Sequence, residues 1–503
     1  MAFFENYRVY VLASVAYLGS FLFAVLTASR GYDTGVMGSV LALTSFRRDF
    51  GLPTQKSAFS TSRNAAISAN VVSLLTAGCF FGSIAAAFLN DRFGRRRTLV
   101  FFILWFLLGA AVQTGARHSI GQIYAGRVLA GIGVGGMSAV TPVFVTENAP
   151  ARLRGRIAGL FQEFFVIGST FAYWLDYGVA LHVPAGTRQW RIPVALQLVP
   201  GALMLVGLCF LKESPRWLVR AGRHDEALAS LAYIRNRPAD DVDVVRELAE
   251  IRASLDEELA ATEGVTWREC LLVPQNRLRF LLAFIFESIG VSSTHASLFA
   301  TGIYGTVKVV TTAIFLLVGI DFWGRRISLI CGAVWMAAMM FIIGAVLHTH
   351  PPDTSSSVVS PASQAMAAMI YLFVIGYSAS WGPTPWVFVS EIFPTRLRPY
   401  GVGLAATTQW LFNFVVTEFT PSAVSNIGYR VFIMFGVFSV ANALFAFFLV
   451  KETKGRSLED IDILFGNVSE EQRRADVDQV LHKAGADHVD DKAVELGPAE
   501  SRV

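Results

Sequence analysis

The chain is short of charge. Of its 503 residues only 16% are Asp, Glu, Lys or Arg, against roughly 25% in soluble domains. What charge there is lies in two places, because residues 212–279 and 451–503 together hold 45 of the 80 charged side chains. The net charge of +4 is small, and the basic residues sit in short turns, so nucleic acid is excluded as a partner. Cysteines number four (Cys79, Cys209, Cys270 and Cys331) with no paired spacing, which excludes a disulfide framework and a cysteine metal site. No nucleophile–base set appears. The glycines of 131–136 lack the Lys and Ser or Thr that follow a phosphate-binding loop, so neither an enzyme nor a bound cofactor is expected. The N-terminus lacks a cleavable signal pattern and reads as a retained span. The one glycosylation sequon, Asn467-Val468-Ser469, falls in the polar tail.

Long apolar runs fill the rest, with 53% hydrophobic and 13% aromatic residues. Spans are predicted within 9–43 and near 71–90, 98–116, 120–144, 157–181, 190–211, 297–320, 328–347, 364–390, 400–425 and 429–450. One turn stands out. Asp91–Arg97 reads DRFGRRR between two apolar runs, and a near copy, DFWGRR, stands at Asp321–Arg326. The repetition points to a duplicated membrane unit. A solvated basic turn in a soluble protein is excluded by the ~20 apolar residues on each side.

The basic turns at 91–97, 151–156, 321–326, 395–398 and 451–456 belong on the cytoplasmic side, whereas 348–363 has no Lys or Arg. Counting positive charge places both termini and the polar middle loop in the cytosol. The first outer loop, with Arg47, Arg48, Lys56 and Arg63, is an exception to this count. Helical spacing in the middle loop predicts surface helices over His224–Asn236 and Val242–Leu259. The domains expected are a membrane bundle over 1–211, a helical loop over 212–279, a second bundle over 280–450 and a tail over 451–503. Between Arg279 and Ser297 only LLAFIF is apolar, too short to cross ~30 Å of hydrocarbon. The seventh helix is therefore expected to be truncated.

Taken in order, GYDTGVMG (31–38), DRFGRR (91–96), GRVLAGIGVG (126–135), ESPRWL (213–218), DFWGRR (321–326), WGPTPWVFVSEIFPTRLR (381–398) and KETKGRSLED (451–460) resemble the sugar porter branch of the major facilitator superfamily. Fungal hexose and quinate permeases are the nearest likeness. The resemblance implies an all-α membrane protein of two pseudosymmetric six-helix bundles that rock about a central site, in agreement with the repeat. It also marks two departures. Ala24–Arg30 (AVLTASR) intervenes before GYD, which would shift the depth of Asp33 by ~10 Å if it stayed helical. The seventh helix, where relatives carry QQ-x-x-G and an Asn, lacks those residues. Both departures read as exon-boundary errors, which sequencing the transcript would test.

Asp33 and Arg127 each sit in an apolar helix, where an unpaired charge costs at least ~2.5–3.5 kcal/mol. The resemblance implies that they pair, and that protonation of Asp33 frees Arg127 in a proton symporter. The alternative is a purely structural ion pair. A polar ring needs amides and an aromatic platform. The resemblance places Gln162, Trp386 and Asn413 in that role, with Gln409 one turn from Asn413 on the same helix face. The competing reading is interhelical glue for the amides and core packing for Trp386, although Pro383 and Pro385 favour a broken, gating helix. Trp410 reads as packing. Arg92, Arg95, Arg96, Glu147, Arg154, Arg325, Arg326, Glu391 and Arg396 recur at matched places in the halves and read as conformational salt bridges.

The expectation is a monomeric, multi-pass carrier in the plasma membrane that imports a monosaccharide with a proton. A quinate or sugar-acid permease is the alternative substrate reading. A sugar sensor or an inactive variant is the alternative of another class. The partners expected are the sugar or related acid, H+ and the lipid bilayer, with no metal.

Overall fold

The computed structural model describes residues 31–33, 35–53, 62–148, 154–262, 298–350, 360–385, 388, 392 and 398–454. The expectations about the 24–30 insertion, the truncated seventh helix and the tail beyond 454 lie outside these residues.

Residues 31–33 and 35–40 are helical. After them come α1 (Thr44–Asp49), α2 (Ser62–Phe93), α3 (Arg95–Thr114), α4 (Ile120–Asn148), α5 (Arg154–His182), α6 (Thr187–Leu196) and α7 (Leu198–Phe210). The middle loop forms α8 (Pro215–Arg220), α9 (His224–Arg235) and α10 (Val242–Thr262). The second half contains α11 (Leu298–Ile314), a π-helical turn over Phe315–Gly319, α12 (Ile320–Trp323), α13 (Arg325–Thr349), α14 (Pro361–Ser378), α15 (Arg398–Ile427) and α16 (Arg430–Leu449). Among the described residues seven segments are long and apolar enough to cross a membrane. Phe88 and Phe448 on their outer faces are 75% and 74% exposed, and Leu317 on the shorter apolar stretch Thr301–Leu317 is 82% exposed. Large apolar groups turned outward in this number suit hydrocarbon and not water.

Each predicted span over the described residues is helical, and the interruptions have local causes. The span expected at 190–211 is divided at Gln197, because Pro200 has no N–H to offer the carbonyl of Leu196. The span expected over 364–390 closes at Ser378 and gives way to a turn over 379–383, at Trp381-Gly382-Pro383. In the middle loop α9 ends where Asn236 takes the left-handed conformation, a conformation asparagine tolerates. Trp217, Leu231, Val244 and Leu248 then bury a small core of their own.

Packing in the first half turns on α4. A Cβ on Gly131 would lie 2.2 Å from the carbonyl oxygen of Leu75, and one on Gly135 2.1 Å from that of Cys79. These glycines let α2 and α4 touch backbone to backbone, as small residues do in membrane helices. In the second half α13 packs on α14 and α16 around Leu329, Ala333, Met336, Met340 and Phe373. The halves meet along two seams, α2 with α15 and α5 with α11. Ser73 donates to Glu418 across the first at 2.6 Å. Trp174 donates to Thr306 across the second at 3.0 Å.

The first outer loop is less exceptional than its charge suggested. Arg47 is 4% exposed, and its guanidinium donates to the carbonyls of Pro53 and Leu41. It closes a turn. Arg48 donates to the carbonyl of Ala185.

Candidate functional site

Asp33 enters from the first helical segment and Arg127 from α4, and both are fully buried. Gly31 and Gly35 let that segment lie against α5 at Phe165 and Ser169, which aims Asp33 inward. Arg127 Nη1 donates to Asp33 Oδ1 at 3.1 Å and to the Asp33 carbonyl at 3.3 Å. Its Nε donates to the Val71 carbonyl of α2 at 2.9 Å. One guanidinium therefore ties three segments together. The ~10 Å change of depth that the 24–30 insertion implied does not separate the two charges. Asp33 Oδ2 and Arg127 Nη2 have no hydrogen-bond partner among the described residues, so the pair is under-satisfied. Breaking it by removing one partner would strand a buried charge, at a cost of about 3–5 kcal/mol.

The expected polar-ring site is only partly described. Gln409 and Asn413 stand one turn apart on α15, and both are part-buried. Asn413 Oδ1 accepts from Thr417 at 3.3 Å, whereas Gln409 Oε1 is buried with no partner among the described residues. Gln162 lies within α5, but its side chain, like that of Arg154, falls outside the description. Trp386, Glu391 and Arg396 do as well. Trp410 is 2% exposed, and its indole N–H donates to Ser138 of α4 at 3.2 Å, which stitches the two halves.

The repeated turns have a shared construction. Gly94 and Gly324 stand at φ +91° and +78° with ψ near 170°, a region essentially restricted to glycine. At each turn a carboxylate closes over the next helix start. Glu213 accepts from the backbone N–H of Arg95 at 2.9 Å and of Arg96 at 3.1 Å. Glu452 accepts from Arg325 at 2.9 Å and Arg326 at 3.0 Å. An anion at a helix N-terminus meets both the free N–H groups and the positive end of the helix dipole. A Cβ on Gly94 would come within 2.6 Å of Glu213, and one on Gly324 within 2.7 Å of Glu452.

The arginine side chains then divide. Arg95 grips Glu147 through two bonds of 2.9 Å and reaches Asp91 at 3.6 Å. Arg96 donates to the carbonyls of Leu208 and Cys209. Arg326 donates to that of Phe447. Arg92 is exposed and lies over Phe93 at 5.7 Å.

Sequence reasoning passed over several groups. Glu213 and Glu452 carried a usable signal, since each follows the last span of its half in a matched place. Glu163 and Asp176 are further charges in spanning segments, and Lys308 is one in the shorter apolar stretch of α11. The first two are 8% and 0% exposed, and nothing in their immediate sequence separates them from packing.

Comparison with known proteins agrees with this architecture. The family described as "Sugar (and other) transporter" matches residues 12–465. A probable quinate permease of Neosartorya fischeri is 37% identical over 487 residues, covering 92% of this chain and 88% of that one. A quinate permease of Emericella nidulans is 36% identical over 92% of this chain and 89% of its own. Among solved structures, the proton:xylose symporter XylE bound to 6-bromo-6-deoxy-D-glucose is 26% identical. It superposes with a TM-score of 0.70 over 90% of this chain and 99% of its own. The inward-open xylose transporter XylE from E. coli is 25% identical, with a TM-score of 0.72 over 90% and 99%. The repeated turns, the spanning helices and these matches together make the chain a member of the sugar transporter family of the major facilitator superfamily, a multi-pass membrane protein.

Proposed function

We propose that this protein is a secondary active transporter that imports a monosaccharide or a related polyol-like ring together with a proton by alternating access. It works as a monomer in the plasma membrane with both termini in the cytosol, and it moves its substrate without converting it. The observation that carries the reading is the Asp33–Arg127 pair, fully buried and joined at 3.1 Å. A proton arriving from outside neutralises Asp33 and removes the attraction. Arg127 then keeps only its bonds to the carbonyls of Asp33 and Val71, and with the charge pair gone the first segment is held less tightly against α2 and α4. In a symporter motion of that segment is what substrate and proton must jointly permit.

Gln162, Gln409 and Asn413 supply amides to the hydroxyls of the ring, and Trp386 supplies a flat face. The turn after Ser378 provides the gate. On the cytosolic side Arg95, Glu147 and the two capping glutamates, with Arg92, Arg96, Arg154, Arg325, Arg326, Glu391 and Arg396, hold the outward-facing state as a network. Isolated exposed pairs would be too weak, at under ~1 kcal/mol each.

The names of the fungal relatives favour a second substrate reading, quinate or a sugar acid. Uptake of labelled substrates in a host lacking its own hexose and quinate carriers separates the two. The Asp33→Asn variant tests coupling: uphill accumulation should vanish while equilibrative exchange persists. Unchanged uphill uptake by Asp33→Asn would end the coupling role.

A further inference from the structure

Lys308 stands on α11 near the middle of the apolar stretch Thr301–Leu317, at the seam where α11 crosses α5. That seam is tight. A Cβ on Gly305 would lie 2.6 Å from Thr170 Oγ1, and one on Gly302 3.0 Å from the Trp174 ring. One turn beyond Gly305, the Lys308 ammonium is 6.0 Å from the centre of the Phe165 ring on α5 and 5.5 Å from that of Tyr377 on α14. Phe165 lies one turn along α5 from Gln162, so the ammonium stands beside the region expected to hold substrate. Lys308 is part-buried there, and an ionisable side chain in an apolar stretch is costly and marks a function more often than packing.

The two rings offer cation–π attraction but accept none of its three N–H bonds in the ordinary way. Among the described residues no carboxylate lies within ion-pair distance of it. Glu163, the acid on the same stretch of α5, has an Oε2 without a hydrogen-bond partner and so does not answer it. A neutral ring gives no reason to keep a cation at this depth. A ring that carries a carboxylate does, because a charge-assisted bond formed out of water is strong and selective.

We propose that Lys308 receives the carboxylate of the transported substrate, and that the substrate class is a polyhydroxylated ring acid such as quinate, not a neutral hexose. The inference rests on the transporter reading above and chooses between its two substrates.

The test uses the full-length chain with two readouts, uptake in cells and ligand-induced stabilisation of the purified protein in detergent. The probes are quinate, its uncharged methyl ester and glucose. Quinate should raise the melting temperature of the wild type at concentrations where the ester and glucose do not. Lys308→Gln should weaken quinate about ten- to a hundredfold and abolish the preference for acid over ester, while Lys308→Arg keeps the preference. A wild type that responds equally to acid and ester, or only to glucose, overturns the proposal. So does a Lys308→Gln protein that still prefers the acid. If Lys308→Gln does not fold, the acid-against-ester comparison in the wild type and in Lys308→Arg decides alone. Binding with this preference but without uptake in cells would sink the transporter reading and leave the carboxylate site standing. Uptake of glucose that quinate does not inhibit would do the reverse.

Discussion

The turns at Gly94 and Gly324 are copies that have come to rest on different neighbours. Both use a glycine at positive φ, and both seat a glutamate from the end of their own half on the next helix. The first turn is embedded. Arg95 is 6% exposed, Glu147 also accepts from the Ser214 hydroxyl, and Trp217 donates to the Asp91 carbonyl. This ties the turn to the packed middle loop. Among the described residues the second turn is held by the short stretch after α16, where Glu452 caps the helix and Lys454 donates to the Phe322 carbonyl at 2.9 Å. Duplication preserved the backbone device and left its support to whichever chain lay beside it. The first turn should therefore be the rigid one and the second the one that yields.

That contrast can be broken directly. Gly94→Ala should do the most damage, because a Cβ there meets both the forbidden backbone region and the Glu213 carboxylate, a loss of about 3 kcal/mol or more. Gly324→Ala suffers the same strain and, among the described residues, has fewer buried neighbours to displace, so its melting temperature in detergent should fall less. Equal losses would mean that the packed loop contributes nothing. Next in size, Arg95→Ala strands Glu147 between α4 and the loop and should cost about 3 kcal/mol, read by the same melting experiment.

The capping glutamates come third. Glu213→Gln and Glu452→Gln keep the shape and weaken the charge–dipole contact, for about 1 kcal/mol each. The Glu213 variant should also loosen α8–α10, seen as faster amide exchange there, whereas Glu452→Gln should leave that region unchanged.

The smallest effect lies away from both turns. The Asp49 carboxylate feels some burial, which works against its charge. The hydrogen bond from Trp190 and the nearby Thr187, His118 and Arg48 outweigh this and hold its pKa below the usual range. A depressed acid adds stability above its unfolded pKa and loses it as pH falls through the folded one. Asp49→Asn should therefore match the wild type in acid and trail it slightly near neutrality. A variant that trailed only in acid would reverse the assignment.

Much of this protein could be read along the chain. The predicted spans are helical over most of their described length, broken at Gln197 and after Ser378, since ~20 apolar residues leave the backbone no other way to satisfy itself in hydrocarbon. The repeated turn announced the duplication before any partner was known. Arg47 counted only as an exception to the positive-inside pattern, because its acceptors are backbone carbonyls and composition does not register them. Gln409 and Asn413 share a face by spacing alone, whereas nothing in their own segment says what they face.

By itself, then, the sequence determined the element type, the membrane environment and the twofold plan, all of which follow from local hydropathy and short motifs. Only the tertiary structure decided which distant groups meet. It set Arg127, whose pairing with Asp33 the family resemblance had implied, against the Val71 carbonyl as well, and it brought Glu213 to the start of α3, Glu452 to the start of α13, and Lys308 to Phe165 and Tyr377. Pairings of that kind depend on how helices far apart in the chain are set against one another, and a charge in an apolar run does not reveal its partner until they are.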